Sequence, residues 1–384
     1  VPGELLIEVV PSLEDVQPDE WNLLAGSDNP FVEYEFLRAL ETSESVGQAS
    51  GWLPCHVLAK EGDTLVGAVP LYLKSHSYGE YIFDWSWANA AEQAGLAYYP
   101  KLVAAIPFTP ATGRRFLTHG NELDEAVFET LVAGVQEMAR RTSSSSVHVL
   151  FCTKEEQEAL QGLGFLPRLT YQFHWENSGS WSDFDAYLAS FRASARRKVR
   201  KERREACASG IEIRIVGGEE LTGTEIDAMY RFYAATSERK WGRAYLSHEF
   251  FTELNRSLRY RSLVSMAYRD GVPVAGALSF QKGAHLYGRH WGCLEHHDKL
   301  HFELCYYQLI EYCLENGYSR FEAGAQGQHK VKRGLLPSET YSSHFIYHPG
   351  LANAVAAYLP EEAAGNRAEM EHFQQRSPFR GEDA

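Results

Sequence analysis

Residues 58–81, LAKEGDTLVGAVPLYLKSHSYGEY, return in outline at residues 266–290 as MAYRDGVPVAGALSFQKGAHLYGRH. Each copy reads as an apolar strand, an acidic-Gly turn, a second strand with a small-residue centre, and a Tyr-Gly pair. Gly67 matches Gly276 and Tyr78 matches Tyr287, both at a spacing of 209 (276 − 67 and 287 − 78). A spacing shared by two landmarks implies one folding unit present twice, each copy holding about half the chain. The competing reading is two unrelated hairpins that share common turn chemistry.

Working outward, 384 residues suffice for two domains that each bury a core, expected at 1–178 and 179–384 with a linker at ENSGS, residues 176–180. Hydrophobic residues at 44% and charged residues at 23% are ordinary for a globular protein. No run approaches the roughly 18 apolar residues that a membrane helix requires, and VPGELLIEVV shows neither a basic leader nor a cleavage pattern. A cytoplasmic protein without membrane insertion is expected. Cys55, Cys152, Cys207, Cys293, Cys305 and Cys313 have no CxxC spacing and read as reduced thiols. A formal charge of −14 excludes non-specific coating of nucleic acid or anionic membrane. Residues 192–204, RASARRKVRKERR, oppose that balance locally, with eight basic residues against Glu202.

The first half alternates strand, two helices, hairpin, strand, helix, strand, helix and strand, a mixed α/β layout. The second half opens with a long helix over 181–209, with Ser182 as N-cap and Gly210 as stop. A strand, two helices, the second hairpin, a strand, a helix over 300–316, two more strands and a charged terminal helix follow.

That order resembles the GCN5-related acyltransferase (GNAT) fold, doubled, and so implies an α/β protein of mixed sheets with two tandem GNAT-like domains. Two such units in one chain resemble the Fem peptidyltransferases, which move an amino acid from aminoacyl-tRNA to an amine on a peptidoglycan precursor. The motifs YLKSHSYGEYIFDWSWA, YYPKL, IPFTPATGRRFL, SARRKVRKERR, LYGRHWGC, LHFELCYY and EAGAQGQHKVKRGLLP resemble the FemAB-like branch, called peptidoglycan biosynthesis or recognition proteins. The resemblance implies an N-acyltransferase with no bound cofactor. Its implied partners are a small-molecule or peptide amine acceptor and an activated donor such as aminoacyl-tRNA. An acyl-CoA-dependent N-acetyltransferase and a non-catalytic recognition protein for a peptidoglycan fragment or RNA are the alternatives.

Acyl transfer to an amine requires an oriented carbonyl, donors for the developing oxyanion and an acceptor for the amine proton. In the fold that the chain resembles, the strand after the hairpin splays from its neighbour and can hold the carbonyl. Here that strand ends at Arg289, His290 and Trp291, and its neighbour at Glu322, Ala323 and Gly324. The next loop, GCLEHHDKLHFE, offers Glu295 and Asp298 but no glycine run to cradle a diphosphate, which disfavours CoA. GAQGQHKVKRG, residues 324–334, brings Gln326, His329, Lys330 and Arg333 to one loop. The Fem resemblance implies that Lys330 stabilises the tetrahedral intermediate, with His329 and Arg289 beside it. Arg196, Arg197 and Lys198 in the basic run are candidates for donor phosphates.

HDKLH, residues 297–301, has two histidines four apart, but an Asp stands where a zinc protease has Glu, and no metal is expected. His301 and Glu303, two residues apart on a helix, cannot both face a substrate. In the first half, Lys74, His76, Glu80, Asp84 and Trp85 suggest a polar cleft for the acceptor, where Asp84 or Glu80 orients or deprotonates the nucleophile. A tryptophan core around a hydrogen-bonded Asp84 is the alternative. Lys101 and the Arg114–Arg115 pair are candidate anion contacts, and Tyr306 and Tyr307 read as packing residues.

Overall fold

The computed structural model describes residues 4–120, 122–177, 179–208, 210–242, 244–295, 297–324 and 327–380. Two compact units emerge, Val1–Tyr171 with Glu339–Glu369 and Gln172–Ser338 with Met370–Ala384. The chain first passes from one unit to the other between Tyr171 and Gln172. The return of residues 339–369 to the first unit has no counterpart in the sequence reading.

The first unit runs β1 (Leu5–Val10), α1 (Pro18–Leu24), α2 (Tyr34–Thr42), β2 (Trp52–Pro54), β3 (His56–Glu61), β4 (Thr64–Val69), β5 (Leu71–Lys74), α3 (Trp85–Gln93), β6 (Lys101–Ala104), β7 (Leu117–Thr118), α4 (Glu125–Arg141), β8 (Ser146–Cys152), α5 (Lys154–Gly162) and β9 (Leu166–Glu176). One sheet has the order β1-β3-β4-β7, and β8-β6-β5-β2 are consecutive neighbours in another. The inward stripe of α4, with Val127, Phe128, Leu131, Val132 and Val135, packs with Val57, Val69, Leu71, Leu102, Val147 and Val149 from both. Asp124 starts this helix by accepting from the Val127 amide. Pro70, which has no amide to give a ladder, separates β4 from β5, and the two strands lie in different sheets.

The second unit runs from the end of β9 through α6 (Phe184–Ala189), α7 (Ala193–Ala206), β10 (Ile211–Gly217), α8 (Gly223–Trp241), α9 (His248–Ser257), β11 (Ser262–Arg269), β12 (Val272–Lys282), β13 (His285–Cys293), α10 (Leu300–Phe302), a π-helical turn (Glu303–Tyr307), α11 (Gln308–Glu315), β14 (Arg320–Glu322) and a 3-10 turn (Gln328–Arg333) into β15 (Leu336–Ile346). The last helix is α12 (Pro349–Gln375). Its sheet order is β10-β11-β12-β13-β14-β9, and the β13–β14 pair alone among these is parallel.

The single helix expected over 181–209 is two helices. The backbone between α6 and α7 is engaged elsewhere: the Arg192 amide donates to Pro378, and the Arg380 amide donates to Ser190. Asp183, not Ser182, caps α6 by accepting from the Ala186 amide at 2.8 Å.

The two hairpins share their register and their bulge, but at a spacing of 208 rather than 209. β4 and β5 together span residues 64–74 and β12 spans 272–282, so both ends differ by 208 (272 − 64, 282 − 74). The register shifts between Ala59 and Lys60 in one hairpin and between Ala267 and Tyr268 in the other. Gly67 therefore corresponds to Ala275. Strand faces alternate, so a slip of one residue exchanges them. A Cβ at Gly67 would meet Val127 and Leu131 of α4, whereas one at Gly276 would meet Met229 of α8, on the other side of its strand from Ala275, which packs with Leu300 and Leu304. Tyr78 and Tyr287 are likewise not equivalent. Tyr287 lies inside β13 opposite Phe280, while Tyr78 belongs to a long connection, residues 75–100, that replaces the Gly283-Ala284 turn.

Candidate functional site

In the second unit β13 and β14 pair over three residues, His285↔Arg320, Leu286↔Phe321 and Tyr287↔Glu322. There β14 ends, and Gly324 turns the chain away with φ +80°, whereas β13 runs on to Cys293. The register of β13 with β12 passes from Gly288 to His290, which makes Arg289 the extra residue of a β-bulge. Ladder pairing therefore ends next to Arg289–Trp291 and Glu322–Gly324, the strand ends expected to part, although a Cβ on Gly324 would still lie 3.8 Å from the Gly288 carbonyl oxygen. β13 is also pressed against α8, since a Cβ at Gly292 would run into the Phe232 carbonyl oxygen.

Aromatic and imidazole rings, from the buried Tyr306 to the exposed His329, gather beside those strand ends. His301 lies 5.1 Å from Trp291, 5.4 Å from Tyr306 and 5.8 Å from His329, centroid to centroid. The Tyr306 hydroxyl is 3.0 Å from His329 Nε2, and burial raises its pKa. Lys330 is 2% exposed and donates from Nζ to the Gly324 carbonyl at 2.7 Å, which sets its ammonium where β14 turns away. The π-helical turn inserts a residue into the helix after β13. As anticipated, His301 and Glu303 face different ways: Glu303 is buried, accepts from Arg203 and Gln308, and burial raises its pKa against the pull of Arg203. Tyr306, read from sequence as packing, is a site neighbour; its contact with His329 spans 23 residues and leaves no local signal.

The basic helix α7 is tied to the same elements. Glu202 accepts from Arg333 of the 3-10 turn at 2.8 Å and also from the Tyr307 hydroxyl. Arg203 reaches Glu303 at 3.0 Å and Glu311 at 2.6 Å, and the Arg333 guanidinium lies 3.4 Å from the Phe302 ring centroid. Arg333 is thus an internal brace rather than a contact offered to a ligand. Arg197 and Lys198 are exposed, Arg196 is half-buried, and Lys198 approaches Glu202 at 4.0 Å. Arg196 and Arg197 form no ion pair among the described residues.

The remaining candidates of this unit have structural partners. His290 packs edge-on against Tyr233, and burial together with Arg289 holds its pKa well below the usual range. Glu322, 3% exposed, lies 3.3 Å from Arg320. Gln326 lies outside the described residues. His297 neighbours Arg269 and Glu295 while His301 turns to Trp291, so the two histidines of HDKLH do not converge. Lys299, with φ +65°, occupies the position before α10.

In the first unit the polar residues collapse into an internal cluster. Lys101, 0% exposed, donates to Ser77 at 2.8 Å, Glu80 at 2.8 Å and Asp84 at 2.5 Å, and Tyr98 donates to Asp84 at 2.6 Å. Burial pushes the Glu80 carboxyl up to about 7 despite Lys101. Burial opposes Asp84 too, but the adjacent Lys101 ammonium and His148 hold it well below the usual carboxylate range. Asp84 is an ionised partner of Lys101 inside the unit, not a base presented to an acceptor, which favours the alternative of a hydrogen-bonded Asp84 among aromatic rings. Lys74 is equally buried, donates to the Tyr78 carbonyl and lies 3.7 Å from the Trp52 ring centroid. His76 accepts from the Tyr78 amide, and Trp85 remains partly exposed beside Tyr78. Arg115 is spent on the carbonyls of Leu150, Gly113, Arg114 and Ala111. Sequence reasoning missed the pair His148–His344, whose Nδ1 atoms lie 2.7 Å apart across β8 and β15; 196 residues separate them.

A mixed α/β protein whose short parallel strand pair ends beside a buried lysine is consistent with a GNAT-like fold. Residues 12–381 match the FemAB-like family, described as peptidoglycan biosynthesis/recognition, and the chain belongs to it. Among solved structures the chain resembles FemX, with 12% identity, coverage of 91% of this chain and 100% of that one, and a TM-score of 0.54. It also resembles the C-terminal domain of a putative lysylphosphatidylglycerol synthetase from Agrobacterium fabrum, with 10% identity, coverage of 89% and 95%, and a TM-score of 0.52. At these identities the likeness is one of fold. No curated protein sequence matches the chain. Among the described residues no helix is long and apolar enough to cross a membrane, and no three metal-ligating side chains converge.

Proposed function

We propose that the protein is an N-acyltransferase of the Fem type, transferring an aminoacyl or acyl group from an activated donor, aminoacyl-tRNA in the favoured reading, to an amine. The two units are read as tandem GNAT-like domains, supported by the common hairpin register and by a short parallel strand pair in each, β6–β8 and β13–β14. The observation that carries the reading is the end of β13–β14 pairing at Tyr287↔Glu322, with the bulge at Arg289 and the Lys330 ammonium beside it.

In that slot strand amides hold the acyl carbonyl, and Lys330 stabilises the oxyanion that forms when the amine attacks. The amine needs a proton acceptor, and His329, exposed and hydrogen-bonded to Tyr306, supplies one. The C–N bond forms as the amine proton passes to His329, and the bond to the donor oxygen or sulfur breaks as the intermediate collapses. Arg289 lies at the slot, and Arg196, Arg197 and Lys198 offer positive charge to the donor's phosphates. In the first unit Arg115 is spent on the Leu150 carbonyl of β8, which supports reading the second unit as the one that carries transfer.

A single-turnover assay with aminoacyl-tRNA and amine acceptors, run beside acyl-CoA, tests the proposal. Transfer that depends on Lys330 supports it. Retained ligand binding and phenotype in Lys330→Ala, without turnover in either protein, would instead support a recognition protein.

A further inference from the structure

A recess of about 150 Å³ opens on the second unit, lined by His174, Glu176, Trp181, Gly334, Leu336, Pro337, Ser338 and Phe379. A volume of that size accepts a short alkyl chain with a polar head. Trp181 and Phe379 stack with centroids 5.5 Å apart and planes 11° from parallel, and Leu336 and Pro337 add apolar wall. Glu176 is exposed and forms no ion pair among the described residues.

The charge inside the recess favours a cation. The Arg320 guanidinium, cross-strand from Glu176, is turned to His174 Nδ1 at 2.8 Å and to Glu322 at 3.3 Å. His174 accepts that hydrogen bond and is neutral, because burial, reinforced by Arg320 and Lys330, holds its pKa well below the usual range. What remains is the Glu176 carboxylate in a recess with aromatic walls, a combination that attracts an ammonium group.

We propose that this recess is a cation site that takes a non-reacting alkylammonium group of a bound substrate. A carboxylate and aromatic faces keep an amine protonated, and a protonated amine has no lone pair with which to attack a carbonyl. The group held here is therefore not the nucleophile. It is a second positive charge, either the α-ammonium of an aminoacyl donor or a remote amine on the acceptor. The placement suits both sources: Gly334 ends the turn that carries His329 and Lys330, and Glu176 pairs with Arg320 two residues before β14 ends. This assignment rests on the transferase reading for its biological meaning but not for its test.

The test is a titration of the full chain, followed by protein NMR, with n-butylammonium chloride, 1-butanol and sodium butyrate. Binding of butylammonium in preference to the other two is expected, with Glu176→Gln weakening it about five- to tenfold and Phe379→Leu about threefold. Alaninamide and Nα-acetyl-lysine amide then distinguish the sources: preference for the first assigns the group to the donor, and preference for the second to the acceptor. Equal binding of butanol, tighter binding of butyrate, or an unchanged affinity in Glu176→Gln overturns the cation site. No acyl donor is present in this titration, so an absent transferase activity defeats only the function proposed above, while failed titrations with intact transfer defeat only the cation site.

Discussion

Glu202 of α7 accepts a hydrogen bond from Arg333 of the 3-10 turn at 2.8 Å, with both side chains at most 6% exposed. This pair links the basic helix to the loop that carries Lys330. Breaking a buried ion pair from one side leaves an uncompensated charge, which costs about 3–5 kcal/mol. Glu202→Leu is therefore expected to lower the denaturant midpoint sharply, and Glu202→Leu with Arg333→Met to recover part of that loss. A double-mutant cycle in urea measures the coupling, and additive effects would contradict the brace.

Lys330→Met keeps the alkyl stem and removes the ammonium. Loss of one preorganised oxyanion donor costs about 100-fold or more in turnover. The expected result is a fall in kcat with little change in KM, read by single-turnover kinetics. A rise in KM at constant kcat would make Lys330 a binding residue only.

Glu80 couples the first unit to pH. Its folded pKa of about 7 lies above its ordinary 4.5, so its proton contributes stability that is fully present below 4.5 and is lost as pH rises through 7. His148 has the opposite sign. Burial holds it at about 3 against an ordinary 6.5, so its contribution is present above 6.5 and is lost as pH falls toward 3. Glu80→Gln, which approximates the protonated form, should match the wild type near pH 4.5 and exceed it near pH 8. Chemical denaturation at the two pH values checks the crossing.

Phosphate contacts release counterions and make affinity salt-dependent. Replacing Arg196, Arg197 and Lys198 with alanine should weaken tRNA binding and reduce the slope of log K against log salt by about 2–3. Filter binding over a salt series measures both. An unchanged slope would remove α7 from the donor site.

Gly292→Ala should destabilise the fold by about 2–3 kcal/mol, because the new Cβ would meet a backbone carbonyl of α8 rather than a side chain that can rotate. Thermal melting reports this directly.

The elements that sequence shows most clearly are those with local signals. Helix α9 and the span of the two hairpins follow from caps, periodicity and turn chemistry, because those forces act within a few residues. The hairpin match was one residue out of register because a glycine among small apolar residues looks alike on either strand face, and only the helix packed on each face separates Gly67 from Gly276. The end of β13–β14 pairing and the position of His329 and Lys330 in the turn after β14 could be read from motif order. The brace between Glu202 and Arg333 spans 131 residues, the Lys101 cluster depends on burial, and the break between α6 and α7 depends on residues 378–380. None of these leaves a trace in local pattern.

β15 begins at Leu336 in the second unit and pairs with β8 of the first over Tyr341–Ile346, so the ribosome finishes the second unit's sheet before it supplies the first unit's missing strand. Until residues 339–369 emerge, the β8 edge, with His148 on it, waits without its final neighbour. Nascent chains arrested at about residue 335 should therefore leave the earlier-made half the more protease-sensitive of the two, an inversion of the usual order in which a chain matures from its beginning.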